Sequence, residues 1–173
     1  MDFQTAFQSL IGNEGGYSLD PHDRGNWTGG AINVGQCKGT KYGISAAAYP
    51  NLDIASLTLD TVAPIYQHDY WGAAGCDMVP DAVKFDLFDI AVNSGVKRAI
   101  KVLQAACGLT GSDVDGVFGQ ATATAVANID PATLDRRFNG ARLHFLTTIG
   151  DQEWQTEGRG LVNRVANNLM AAA

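Results

Sequence analysis

A mainly α-helical fold follows from three features of this 173-residue sequence. Apolar residues recur at three- and four-residue spacing through most of the chain. Glycine and proline break those runs at helix-length intervals. One stretch only, Tyr17 to Lys41, has no periodicity and is crowded with turn formers. The expected architecture is a set of helices with a long loop or short irregular hairpin after the first.

Phe3, Ala6, Phe7, Leu10 and Ile11 trace one face of the first helix, with Asp2 as N-cap. Gly12, Gly15 and Gly16 end that helix. Five glycines between Gly25 and Gly39, with Pro21 and several Asn and Asp, make the loop. A loop this long is usually functional. A short helix is expected over Ser45 to Tyr49, ending before Pro50. Thr58 caps a helix reaching about Trp71, with Pro64 as a kink. Leu87, Ile90, Ala91 and Ser94 mark a helix from Asp81 to Gly95, and Val96 to Cys107 carries another, stopped by Gly108. "DVDGVFGQAT" is a turn, without the ligand pattern of a calcium loop. Gln120 to Asn128 is helical again. Asp130 and Pro131 form an N-cap and N1 pair for a long helix through Leu146, and a last helix spans Leu161 to Ala172.

Composition narrows the function. With 46% hydrophobic and 17% charged residues the chain is a folded globular protein. A net charge of −6 argues against nucleic acid and against adhesion to anionic membranes. No apolar run is long enough to span a membrane. The N-terminus has neither a basic segment nor a small-residue cleavage site, so no secretory signal is expected. Cys37, Cys76 and Cys107 are odd in number and form no C-x-x-C, and no H-x-x-x-H occurs. Free thiols, no metal site and no cofactor are expected. A monomer is the expected working state.

The chemistry points to one glutamate. Glutamate occurs at Glu14, Glu153 and Glu157 alone, so Glu14 is isolated in the first three-quarters of the chain. It sits where the first helix ends, and a helix C-terminus disfavours a carboxylate. Burial against Tyr17 or Trp27 would add to that, and both effects raise a carboxyl pKa. A carboxylic acid kept protonated near neutral pH is the general acid that glycoside hydrolysis needs. The competing reading is an exposed glutamate beside a turn. A second carboxylate is required. Asp23 and Asp20 lie in the turn-rich loop after it, where an Asx-turn role competes for both. Thr40, in "GTKYGIS", supplies a hydroxyl that could help hold a water.

The stretch "NEGGYSLDPHDRGN", with "GTKYGIS" later in the chain, resembles the N-terminal motif of glycoside hydrolase family 108, phage endolysins that act as N-acetylmuramidases. Glu14, Gly15, Gly16, Tyr17, Asp23, Gly25, Thr40, Gly43 and Ile44 fill the pattern. "YQHDYW", from Tyr66 to Trp71, is similar to the family's Y-x-x-x-Y-W. Phe88 and Asp89, Asn93 and Gly95, Leu103 and Gln104, then Asp115, Gly116, Gly119 and Thr122 resemble its C-terminal segment, known as a predicted peptidoglycan-binding domain. "GRGLVNRV" is similar to G-W-x-x-R-V, with Leu161 where Trp is usual.

The resemblance implies a lysozyme-like, two-lobed single domain over 1–173, with 1–80 carrying the catalytic motif and 81–173 the helical wall-binding part. It implies hydrolysis of the β-1,4 bond between N-acetylmuramic acid and N-acetylglucosamine in peptidoglycan glycan strands. Glu14 would be the general acid, Asp23 the second carboxylate and Thr40 the third member. Thr28 competes with Thr40, because Gly29 to Gly39 looks like an insertion relative to phage-type lysozymes. Tyr17, Trp27, Tyr42, Tyr70, Asn93 and Gln104 are the candidate substrate contacts. Arg164 with Asn163 reads as a structural pair. The implied setting is the host cytoplasm, with action on periplasmic peptidoglycan after a membrane lesion. A lytic transglycosylase and a non-catalytic wall-binding module are the rival functions.

Overall fold

The computed structural model describes residues 1–11 and 16–171, with Glu153 and Ala171 described by backbone alone. The chain is mainly helical, and its contacts gather into two compact units, Asp2–Gln67 and His68–Ala173 with Met1. The division falls inside the segment that the sequence suggests as one kinked helix.

In the first unit, α1 (Phe3–Ile11) buries Phe3, Ala6, Phe7 and Ile11. Asp2 caps it, its carboxylate accepting from Thr5 N–H at 2.8 Å. The long loop is an ordered hairpin-like excursion. Ser18 and Thr40 exchange two backbone hydrogen bonds of 2.9 Å, and Trp27 bridges Cys37 farther out. Strands β1 (Thr40–Lys41) and β2 (Ile44–Ser45) then pair antiparallel. Their connecting residues, Tyr42 and Gly43, both have positive φ, 50° and 75°. That is the twist a two-residue hairpin needs. Gly43 has a second constraint, since a Cβ there would lie 2.4 Å from the Tyr66 hydroxyl.

The helix expected over Ser45 to Tyr49 is absent. Ser45 belongs to β2, and a single turn comes after it, closed by Tyr49 N–H on the Ser45 carbonyl at 2.9 Å. Strand pairing takes the residue that would have started the helix. Helix α2 (Leu59–Tyr66) begins with a reciprocal capping box between Thr58 and Thr61. It passes through Pro64 and widens to a π-type turn over Gln67–Gly72. Phe7 packs on Phe3 and on Tyr66, with ring centres 5.6 and 5.4 Å apart. Ile44, Ile54, Leu57 and Val62 complete this core.

The second unit is built on α3 (Asp81–Ser94), α4 (Val96–Ala106), α5 (Gln120–Ala127), α6 (Pro131–Leu146), one turn α7 (Asp151–Glu153) and α8 (Arg159–Ala171). Helices α3, α4 and α6 pack on one another around Leu87, Phe88, Leu103, Leu134 and Phe138. Trp71 is buried edge-on against Phe88 and donates its indole N–H to Asp77 at 2.9 Å.

Two polar locks hold these helices. The first is ionic. Arg142 reaches Asp86 and Asp89 at 2.6 Å each, and Arg164 reaches the other oxygen of Asp89 at 2.6 Å. Asn168 and Asn139 donate to the same carboxylates. The Asn139 oxygen is buried without a partner among the described residues. Its amide orientation is dictated by the acceptors of Asp86 and Asp135 around its nitrogen. Burial, and then the charge of Asp86, pushes the Asp135 carboxyl above the usual carboxylate range. Asp89, not Asn163, is therefore the partner of Arg164.

The second lock is Gln104, 2% exposed. Its nitrogen donates to Asp115 at 2.8 Å, Thr122 at 3.0 Å and the Val117 carbonyl at 3.1 Å. Its oxygen accepts from Gly116 N–H at 2.9 Å. The motif residues Gln104, Asp115, Gly116 and Thr122 thus meet in one turn-fastening cluster. Gln104→Ala should leave several of these groups unpaired and cost about 2–4 kcal/mol, at roughly 1–3 kcal/mol per orphaned group. Denaturant unfolding checks this, and an unchanged midpoint would refute the lock.

Candidate active site

Glu14 lies outside the described residues, and the groups near it in sequence define the site. Asp20 and Asp23, which the sequence leaves in competition, have different surroundings. The Asp20 carboxylate accepts from His22 N–H at 2.9 Å and lies 3.1 Å from the His22 ring nitrogen. These bonds, the backbone one first, hold it below the usual carboxylate range. Asp23 caps a short 3-10 turn, Arg24–Asn26, with Oδ1 accepting from Gly25 N–H at 2.8 Å. Among the described residues nothing hydrogen-bonds its second oxygen, and the residue is exposed. Among the described residues Asp23 is thus held at one oxygen, as is Asp20, whose two contacts both fall on Oδ1.

The fastening comes from Asn26, which is fully buried. Its nitrogen donates to the Asp20 carbonyl at 2.9 Å, and its oxygen accepts from the Thr40 hydroxyl at 2.7 Å. Its backbone carbonyl accepts from Lys38 and Gly39 at 2.9 and 3.1 Å. One side chain thus ties the aspartate turn to the threonine strand. Sequence reasoning misses Asn26 because an Asn among glycines reads as a turn former.

The two threonines also separate. The proton of Thr40 is committed to Asn26, which leaves its oxygen able to accept from a water. The oxygen of Thr28 accepts from Gln36 N–H at 2.9 Å and closes the Gly29–Gly39 excursion. A Cβ at Gly35 would come within 2.2 Å of that oxygen, so the tight closure needs glycine.

The aromatic candidates of this unit are pinned and partly accessible. Tyr17 is 43% exposed and donates to the Lys38 carbonyl at 3.0 Å. Half-buried Trp27 donates its indole N–H to the Pro21 carbonyl at 2.9 Å. Tyr42 holds a left-handed backbone, rare without glycine, and its carbonyl accepts from Tyr66 at 2.9 Å. Strain of this kind is commonest at binding sites.

The remaining candidates belong to the second unit. Tyr70 is half-buried in the π-type turn. Asn93 is exposed and donates to Asp89, beside a hollow lined by Arg142, Arg164 and Leu161. Gln104 does not fit a sugar-contacting role, because its amide is buried and spent on the lock.

Comparison with known proteins bears on this arrangement. The Glycosyl hydrolase 108 profile matches residues 7–95, just over half of the 173. The chain belongs to the glycosyl hydrolase 108 family. It is therefore a glycoside hydrolase, of a peptidoglycan-degrading kind. The matched span of this family contains Glu14, Asp23, Asn26 and Thr40 and ends at Gly95. Among solved structures, Brucella abortus SagA is similar over 98% of this chain and 92% of that one, with a TM-score of 0.77 and 29% identity. No curated protein matches the chain.

Proposed function

We propose that this enzyme hydrolyses the β-1,4 bond between N-acetylmuramic acid and N-acetylglucosamine, with Glu14 as general acid. Glu14 protonates the glycosidic oxygen as the bond breaks. Asp23 activates or positions a water, or balances the positive charge that develops at the anomeric carbon. Thr40 accepts a hydrogen bond from that water. Tyr17, Trp27 and Tyr42 contact sugar, and Tyr70 and Asn93 are further candidate sugar contacts. The enzyme works as a monomer in a phage endolysin's setting, made in the host cytoplasm and admitted to the periplasmic wall.

The observation that carries this reading is the contrast between the two aspartates. Both are bonded at Oδ1 alone among the described residues, but Asp20 there meets the His22 N–H and the His22 ring, whereas Asp23 takes only the Gly25 N–H. Preorganised positioning is what an oxocarbenium-like transition state rewards. Asp23→Asn preserves the acceptor that Gly25 uses, so the turn should survive while activity falls steeply. Asp20→Asn should be mild. Thr40→Ala should lose roughly 1 kcal/mol of transition-state stabilisation, about fivefold in rate. Release of reducing ends from purified peptidoglycan measures all three, and an inactive Asp20→Asn beside an active Asp23→Asn would reassign the second carboxylate.

A further inference from the structure

The second unit carries a groove that the proposed chemistry leaves unused. It runs between α4 and α6 and encloses about 520 Å3, including space open to solvent. Its floor is apolar: Val102, Ala105, Ala141 and Phe145. Its rim carries Lys101, His144 and Arg98, with Thr148 at one end. The Arg98 guanidinium lies over the Phe145 ring, 5.9 Å from its centre.

Charge makes this groove unusual. The chain has 18 acidic against 12 basic residues, yet no carboxylate lines the groove among the described residues. Asp115 is the acidic neighbour that senses Lys101, and it is occupied by Gln104 and Val117 N–H. Lys101 and His144 are both exposed. A neutral sugar would gain little from such a rim. A short chain of small apolar groups bearing carboxylates would gain from rim and floor together.

We infer that this groove binds the carboxylate-bearing stem peptide of peptidoglycan, its methyl groups on the Ala105, Ala141 and Phe145 floor and a carboxylate at Lys101 and His144. The inference rests on peptidoglycan being the substrate. The enzyme would then read the peptide through α4 and α6 while it cleaves the glycan elsewhere.

The test is an NMR titration of the full chain with a soluble stem tetrapeptide, Ala-γ-Glu-diaminopimelate-Ala, beside peptide-free chitooligosaccharide. The tetrapeptide should move the resonances of Ala105, Ala141 and His144, and its binding should weaken with salt. The chitooligosaccharide should leave those resonances in place. Lys101→Gln removes the charge without opposing Asp115, and Ala105→Trp fills the groove from an exposed helix position. Each should weaken tetrapeptide binding at least tenfold while the amide spectrum stays folded. Undiminished binding in both folded variants, shifts confined to other residues, or no binding at all would overturn the inference. A separate arm keeps the substrate reading distinguishable. Both variants should hydrolyse peptide-free glycan at the wild-type rate, and a wild-type enzyme that cleaves no glycan would sink that reading while the titration still reports on the groove.

Discussion

Glu14→Gln should lower hydrolysis of peptidoglycan by about a hundred- to ten-thousandfold, the usual worth of a positioned general acid. The amide keeps the shape of the side chain and removes the transferable proton. Stability should hold, because the substitution conserves size and shape. Initial rates at saturating and subsaturating peptidoglycan, with a thermal melt alongside, separate the two effects. The loss should fall on kcat, since protonation of the leaving oxygen belongs to the transition state. A Glu14→Gln enzyme with near-native turnover would remove the proposed general acid.

Arg142→Met should cost about 3–5 kcal/mol, the usual penalty for breaking a buried ion pair by deleting one partner. Arg142 is 4% exposed and holds both Asp86 and Asp89. Without it two buried carboxylates face a single remaining guanidinium, Arg164. At roughly 2–4 °C per kcal/mol for a chain of this size, the melting temperature should fall by about 6–20 °C. Calorimetry decides it, and an unchanged melting temperature would show that Arg142 contributes packing alone. Because α3, α6 and α8 all contribute to this cluster, the loss should appear as one cooperative shift.

Most of the helices are legible in the sequence, for local reasons. Asp2, Thr58 and Asp130 cap their helices through the bonds their side chains suggest. Gly95 and Gly108 stop helices with positive φ. Ser45 to Tyr49 misleads because the pairing of β2 with β1 is non-local, and alanines read as helix. The last helix starts at Arg159, two residues early, after a π-type turn over Trp154–Gly158 that no spacing announces. The candidate site is legible as a set of residue types but not as a set of bonds. Turn chemistry alone offers Asp20 and Asp23 as equals, the family motif favours Asp23, and the bonds to His22 and Gly25 are not announced by either. Asn26 is invisible because its importance lies in being buried. Gln104 reads as a sugar contact because a polar residue on a helix carries no sign of whether it faces solvent. Its four partners, three in the turn over residues 115–117 and Thr122 in α5, lie eleven to eighteen residues away.

The most direct test of the central claim is the product of the reaction. Purified peptidoglycan digested by the wild-type enzyme in heavy-oxygen water, with the muropeptides resolved by mass spectrometry, reports both the bond cleaved and the fate of water. Hydrolysis at the proposed bond predicts reducing-end N-acetylmuramic acid carrying the heavy oxygen. A 1,6-anhydro-muramic product without it, or a labelled reducing-end N-acetylglucosamine, would contradict the proposal.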